Sequence, residues 1–276
     1  MSVRRSLGAA AILAMLALHV PAAGAAEAEP AADIWHMVRT SLFGNRPISE
    51  QSEGVVELDA PARAEDAATV PIAIRTKLPQ NPERYVRRIY LVIDRNPSPV
   101  GATFTFTPES GRADLETRVR IEEYTNVRAI AEVSDGSLYM ATRYVKASGG
   151  CSAPAGKDQA AAAARLGKMK LKLDEAAVPG KPVQAQLMIS HPNNSGMAMD
   201  QLTRLYTPPH FVRRIEVTYA GRPVLTAEVD FTISENPNFR FYFVPRGEGE
   251  LKAEVVDTDD LKFESSIAVR REGAGS

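Results

Sequence analysis

The side chain best suited to covalent chemistry is Cys151, the single cysteine of the chain. A lone cysteine cannot form an internal disulfide, and it excludes metal sites of the Cys-x-x-Cys kind. It lies in a run of small residues between Gly149-Gly150 and Ser152, without the apolar neighbours that typically surround core cysteines. We therefore expect Gly149, Gly150 and Ser152 to form a flexible arm, tethered at both ends, that holds the thiol of Cys151 in water.

The sequence around Cys151 offers little to activate its thiol, because no histidine or helix N-terminus is adjacent. The expected pKa is the free value of ~8.5, with a few per cent thiolate at neutral pH. This favours a covalent carrier, activated by its partner, over a thiol enzyme. Three alternatives stay open: a homodimer disulfide, an incidental exposed thiol, and a thiol enzyme whose base is brought close only by folding.

Other residues with catalytic or ligating chemistry are scattered. His36, His191 and His210 lack the i, i+4 or paired spacing of metal ligands, so structural roles are expected and no metal site is predicted. The sequence has no nucleophile elbow, no glycine-rich phosphate loop and no Cys-x-x-Cys-His haem motif. We predict no catalytic residues, no cofactor and no enzymatic activity.

Charge and the N-terminus indicate an exported protein. The net charge is −1 and no basic patch is visible, which argues against nucleic-acid or membrane-surface binding. Arg4 and Arg5, an apolar stretch at 7–20 and Ala23-Gly24-Ala25 are typical of a signal peptide over residues 1–25. No later stretch approaches ~20 apolar residues. The expected location is the periplasm, with no membrane association after signal cleavage.

Beyond a short predicted helix at 33–42, apolar residues recur with period two in short segments separated by Pro, Gly, Asn and Asp. Roughly seven such segments at intervals of 8–12 residues predict an immunoglobulin-like β-sandwich. The predicted strands of the first half are 55–58, 70–76, 88–93, 103–106, 115–121, 126–133 and 138–145.

The second half repeats the first. Tyr-Val-Arg-Arg-Ile at 85–89 returns as Phe-Val-Arg-Arg-Ile at 211–215, and Ala-Glu-Val at 131–133 returns at 253–255. We expect the arginines of the Val-Arg-Arg-Ile motif to lie on or near the sheet edge rather than to bind an anion. Matches in the same order indicate two copies of one fold.

The fold class is therefore all-β, with two tandem immunoglobulin-like sandwiches that we expect to pack on each other. The predicted boundaries are 33–146 for the first domain and 168–272 for the second. Residues 147–167, rich in Gly and Ala, are the predicted flexible linker that carries Cys151.

The motifs also resemble a known family. Gly149-Gly150-Cys151 after an immunoglobulin-like domain resembles the carrier arm of SoxY, the sulfur-carrying subunit of bacterial sulfur oxidation. The second half resembles its partner SoxZ at Ile189-Ser190-His191-Pro192, at Pro209-His210-Phe211 and from Phe231 through Ser234-Glu235-Asn236-Pro237 to Phe239. Together they resemble fused SoxYZ-like carriers of the type associated with quinoprotein dehydrogenases.

The resemblance implies a non-catalytic periplasmic carrier that holds a sulfur-containing intermediate on Cys151 and presents it to partner redox enzymes of sulfur-oxidation or quinoprotein dehydrogenase systems. The sequence departs from the SoxY pattern because Ser152-Ala153-Pro154 follows the cysteine and the chain continues. The alternative is a periplasmic scaffold for a quinoprotein dehydrogenase, in which the cysteine is incidental.

Overall fold

The computed structural model describes residues 29–154, 159–200 and 203–270. The predicted signal peptide and part of the predicted linker, residues 155–158, lie outside this range. A helix, α1 (Glu29–Phe43), precedes the strands and begins before the predicted start at Asp33. Within the described residues, none of the helices is long or apolar enough to span a bilayer.

Strands supply most of the structure. In the first half they are β1 (Ile48–Ser49), β2 (Val56–Asp59), β3 (Val70–Thr76), β4 (Val86–Ile93), β5 (Val100–Phe106), β6 (Leu115–Val119), β7 (Thr125–Val133) and β8 (Leu138–Val145). A short helix, α2 (Gln159–Ala164), follows on the alanine run. In the second half the strands are β9 (Met169–Leu173), β10 (Val183–Ile189), β11 (Val212–Tyr219), β12 (Arg222–Val229), β13 (Asn238–Phe243), β14 (Gly249–Asp257) and β15 (Lys262–Val269).

The two halves are tandem β-sandwiches whose sheets continue into one another. One sheet has nine strands in the order β1-β8-β7-β4-β5-β12-β11-β14-β15, and the other has six in the order β2-β3-β6-β13-β10-β9. The halves join where β5 pairs with β12 and β6 with β13. Because both sheets cross the junction, most of the buried apolar residues of both halves form one continuous core, and a smaller cluster lies under α1.

The two halves have equivalent strand pairings, in agreement with the predicted duplication, and they meet through equivalent residues. Phe104 pairs with Ile89 in the first half, and Ala227 pairs with Ile215 in the second, so Phe104 and Ala227 are equivalent positions. They pair with each other across the β5–β12 junction. Each half also carries a bulge at the first arginine of its Val-Arg-Arg-Ile motif, at Arg87 and Arg213.

The structure corrects one detail of the repeat. Since Val86 pairs with Val133 and Val212 pairs with Asp257, the residue equivalent to Val133 is Asp257, not Val255. The Ala-Glu-Val matches are thus offset by two residues in the sheet. The arginines are ion-paired near the strand ends: Arg87 contacts Glu132 and Arg213 contacts Asp260.

Candidate functional site

The cysteine segment follows β8 and turns back against the first sandwich. The amide of Gly149 donates to the carbonyl of Glu122 (2.8 Å), and the amide of Gly150 donates to the carbonyl of Ile121 (3.0 Å). These bonds fix the backbone of the segment against the residues that precede β7. Residues 149–152 therefore form a hydrogen-bonded turn against the first sandwich, instead of an arm that extends into water.

The two glycines allow this close docking. Gly149 has a φ of +79°, a left-handed conformation that side chains rarely adopt. A Cβ on Gly150 would lie only 2.1 Å from the carbonyl oxygen of Ala67. The Gly-Gly pair indicated flexibility in the sequence, but in the structure it permits a backbone-to-backbone approach that no other residue could make.

Glu122 holds the segment from the first half. Its Oε2 accepts hydrogen bonds from the amides of Cys151 (2.8 Å) and Ser152 (3.1 Å), and its Oε1 accepts from the hydroxyl of Ser152 (2.8 Å). From the second half, the hydroxyl of Ser195 donates to the carbonyl of Cys151 (2.5 Å). Both sandwiches therefore contribute to the position of the cysteine.

The thiol itself is buried, against the expectation from sequence. Cys151 is 1% exposed. Burial raises the pKa of Cys151 to about 12, and the charge of Glu122 adds to the effect, while Arg120 opposes it. The expected pKa of ~8.5 is thus wrong for this conformation, in which the side chain is a neutral thiol at physiological pH.

Cys151 lines a cavity of about 330 Å³ between the two halves. The cavity is mixed in character, with acidic, basic, neutral polar and small apolar groups. Its lining residues are Asp66, Ala68, Thr69, Arg120, Cys151, Ala153 and Pro154 from the first half and the cysteine segment, and Pro192, Asn194, Ser195, Ala198 and Glu235 from the second half.

Arg120 is the buried cation beside the thiol. Its Nη1 donates to the carbonyls of Phe231 and Ile233, both at 2.8 Å. Burial lowers the pKa of Arg120, an effect opposed by Cys151 and Glu235. A guanidinium remains charged even so. It therefore favours negative charge at this end of the cavity.

The second-half wall of the cavity is held by two of the three candidate histidines. His210 Nε2 lies 2.8 Å from Asp257 Oδ2, and His191 Nε2 lies 3.4 Å from the same oxygen. The third histidine, His36, is exposed on α1. Asp257 and His191 are fully buried. The structural role expected for His191 and His210 thus has a concrete basis, although the sequence did not indicate that they meet.

His191, His210 and Asp257 have the composition of a metal site, but their hydrogen bonds are not those of metal ligands. Their ligand atoms all lie within 4.8 Å of one another. However, His191 Nδ1 accepts the amide hydrogen of Asn193 (3.0 Å), so the ring proton lies on Nε2 and is directed at Asp257. A metal on Nε2 would need the opposite tautomer. The cluster is better described as a buried acid satisfied by two histidines.

Sequence reasoning missed Arg120, Glu122 and Asp257. No motif marks Arg120 or Glu122, whose importance comes from contacts with residues far along the chain. For Asp257 a signal existed, since it follows the repeated Ala-Glu-Val by two residues and ends the same strand.

Comparisons with known proteins address the identity of the chain. Residues 39–151 match the family model of Sulfur oxidation protein SoxY, and residues 170–268 match that of Sulphur oxidation protein SoxZ. The chain is a tandem SoxY–SoxZ protein. The first match ends at Cys151, and both together span nearly all the described residues. Membership assigns the chain a general carrier or adaptor role in sulfur oxidation.

No curated protein matches the SoxY–SoxZ chain. Among solved structures, superoxide reductase (neelaredoxin) from Ignicoccus hospitalis is 17% identical, covering 38% of this chain and 97% of its own, with a TM-score of 0.33. Fibronectin(III)-like modules of CbhA from Clostridium thermocellum are 13% identical, covering 80% of this chain and 97% of theirs, with a TM-score of 0.24. These similarities are too distant to bear on function.

Proposed function

We propose that this SoxY–SoxZ protein is a non-catalytic periplasmic carrier that holds a sulfur-containing intermediate covalently on Cys151 and presents it to partner redox enzymes. One observation carries the proposal. The only thiol of the chain lines a cavity built by both halves, at the end where Arg120 is buried.

The chemistry required is thiol exchange. The thiol gives up its proton, the thiolate attacks a sulfur of the donor, and the bond from that sulfur to its leaving group breaks with its electron pair. Release is a second displacement, in which a nucleophile attacks the cargo sulfur, its bond to Cys151 breaks, and the Cys151 thiolate leaves with the electron pair. Because burial raises the pKa of Cys151 to about 12, loading requires that the segment moves or that the partner supplies a base.

The cavity suits a small, partly anionic group attached to the thiol. One water molecule occupies ~30 Å³ in the liquid. The cavity, at about 330 Å³, is therefore large enough for a group of several heavy atoms. Arg120 supplies positive charge, and the hydroxyl of Thr69 and the amide of Asn194 are neutral polar neighbours. Asp66 and Glu235 limit how much negative charge the cavity can accept.

The finer parts of the proposal extend beyond the described residues. Residues 1–25 would direct export and be removed. The partners would be sulfur-oxidation enzymes or a quinoprotein dehydrogenase system, as the resemblance implies. Carriage on Cys151 with Gly149, Gly150 and Ser152 as its supporting segment requires no cofactor and no catalytic residue in the chain itself.

The test is intact-mass analysis of the protein isolated from its native cells under conditions that support sulfur oxidation. The proposal predicts sulfur-containing adducts on Cys151 that reductant removes, together with loss of sulfur oxidation in cells carrying Cys151→Ser. An unmodified thiol under all growth conditions, with full activity of Cys151→Ser, would contradict it.

A second candidate is a scaffold for a periplasmic dehydrogenase with an incidental cysteine. The burial of Cys151 favours the scaffold, since a thiol that is only 1% exposed is inaccessible to a partner in this conformation. Affinity capture from periplasmic extract with wild type and Cys151→Ser separates the two. Stable capture of the same dehydrogenase by both, combined with full activity of the variant in cells, supports the scaffold.

A further inference from the structure

The cysteine segment is held by two kinds of contact. The amides of Gly149 and Gly150 donate to the backbone carbonyls of Glu122 and Ile121. From Cys151 onward, the contacts come from side chains: Glu122 accepts three hydrogen bonds, and Ser195 donates one. The division lies at the two glycines, the residues with most freedom of backbone rotation.

We infer that Glu122 and Ser195 form a latch that keeps the thiol docked in the cavity and controls its exposure. Rotation at Gly149 and Gly150 would lift Cys151 out while β8 keeps its place in the sheet. Opening breaks the three bonds to Glu122 and the one to Ser195, and it leaves no buried charge behind, because Glu122 is only half-buried and becomes hydrated.

Both halves of the chain contribute to this latch. Glu122 follows β6 in the first half, and Ser195 lies in the loop after β10 in the second half. The hydroxyl of Ser195 also accepts the amide of Met197 (3.1 Å), which fixes its orientation toward the carbonyl of Cys151. Displacement of the second-half loop by a bound partner would therefore remove one of the latch contacts directly.

The test measures how fast the folded protein reacts with an aromatic disulfide reagent, which exchanges with an accessible thiol and releases a coloured thiolate. A thiol that reacts only after local opening is slowed by the opening equilibrium. Wild type should react at least roughly a hundredfold more slowly than the protein unfolded in denaturant. Glu122→Ala should react roughly tenfold or more faster than folded wild type, since it loses three hydrogen bonds. Ser195→Ala should show a smaller acceleration.

Glu123→Ala is the matched control. Glu123 is the next residue, is 59% exposed and pairs with Arg95 rather than with the cysteine segment. Its variant should react at the wild-type rate. Equal rates for Glu122→Ala and Glu123→Ala, both folded, would overturn the latch. If Glu122→Ala does not fold, Glu122→Gln replaces it: a severalfold acceleration supports the latch, and the wild-type rate overturns it.

The latch serves a biological purpose only if the proposed carrier role holds, yet its test needs no cargo. Failure of the carrier role would appear as an absence of adducts on Cys151 in native protein. Failure of the latch would appear as unchanged reaction rates in purified variants. The two results are independent.

Discussion

The two walls of the cavity are held in different ways. The first-half wall, the cysteine segment, depends on the half-buried carboxylate of Glu122 and on backbone contacts at the glycines. The second-half wall includes Pro192 and Asn194, which lie one and three residues after His191 in the chain. This wall is fixed by the hydrogen bonds between the buried Asp257 and the two histidines, His191 and His210.

The difference shows which wall can move. Hydrogen bonds to a carboxylate near water contribute modestly because water replaces them on opening. Removing a partner from a buried charged group leaves that charge unsatisfied and costs several kcal/mol. The second-half wall is thus a fixed surface, whereas the cysteine segment is the part that can be released.

The largest effect is expected from Asp257→Ala, which tests whether the second-half wall is fixed. Asp257 also accepts the amides of Asp259 and Leu261 (both 2.9 Å), so its loss removes the centre of the cluster. We expect the free energy of unfolding to fall by about 3 kcal/mol, measured by urea denaturation, because His191, His210 and the two amides lose their buried acceptor. Asp260→Ala removes an exposed ion pair with Arg213 and places Ala at a φ of +61°, so it should cost no more than about 1 kcal/mol. A loss below ~1 kcal/mol in Asp257→Ala would remove the fixed-wall interpretation.

Acidification should weaken the same wall. Burial, with the nearby His210, lowers the pKa of His191, so the folded protein resists protonation of a ring that protonates near its ordinary 6.5 when unfolded. That contribution is present above pH 6.5 and is lost as the pH falls. Hydrogen bonds from His210 and Leu261 outweigh burial and lower the pKa of Asp257, but this carboxyl affects stability only near pH 3.8 and below.

Between pH 7.5 and 5, the stability of wild type should therefore decrease by up to about 2 kcal/mol more than that of His191→Gln. Urea unfolding at several pH values measures both slopes. If the two proteins show the same pH dependence, His191 is not held neutral, and the description of the cluster is incorrect.

A smaller effect is expected from a substitution that disturbs the docking of the cysteine segment. In Gly150→Ala the new Cβ would meet the carbonyl of Ala67, so the segment should shift outward and Cys151 should react roughly tenfold faster with a disulfide reagent. Gly54→Ala, where a Cβ meets nothing within 4 Å, is the control. Global stability should change little in either variant. An unchanged reaction rate in Gly150→Ala would mean that its clash is absorbed without undocking.

Much of the fold could be predicted from sequence because its signals are local. Period-two alternation predicted most of the strands, and the predicted ends of β3 and β8 agree with the observed ones. The Val-Arg-Arg-Ile repeat indicated the duplication. The Ala-Glu-Val match gave the wrong register, since a match of only three residues does not fix the alignment of two strands. Both halves carry the bulge at the same position of the Val-Arg-Arg-Ile motif, at Arg87 and Arg213, so only the observed strand pairing identifies the equivalent residues.

The site was harder to predict because its determinants are distant in sequence. A Gly-Gly pair is equally compatible with a flexible arm and with a close backbone approach, and only the position of Ala67 decides between them. Glu122 meets Cys151 from 29 residues away, and Ser195 from 44. Composition around the cysteine therefore indicated exposure, whereas the folded chain buries it.

Amide hydrogen exchange at Gly150 and Cys151 tests the central claim most directly, because their N–H groups make the docking bonds to Ile121 and Glu122. In the native protein we predict exchange at least roughly a hundredfold slower than in an unstructured peptide, with Glu122→Ala accelerating Cys151 more than Gly150. Exchange of both amides at unstructured-peptide rates in wild type would show that the segment is not docked.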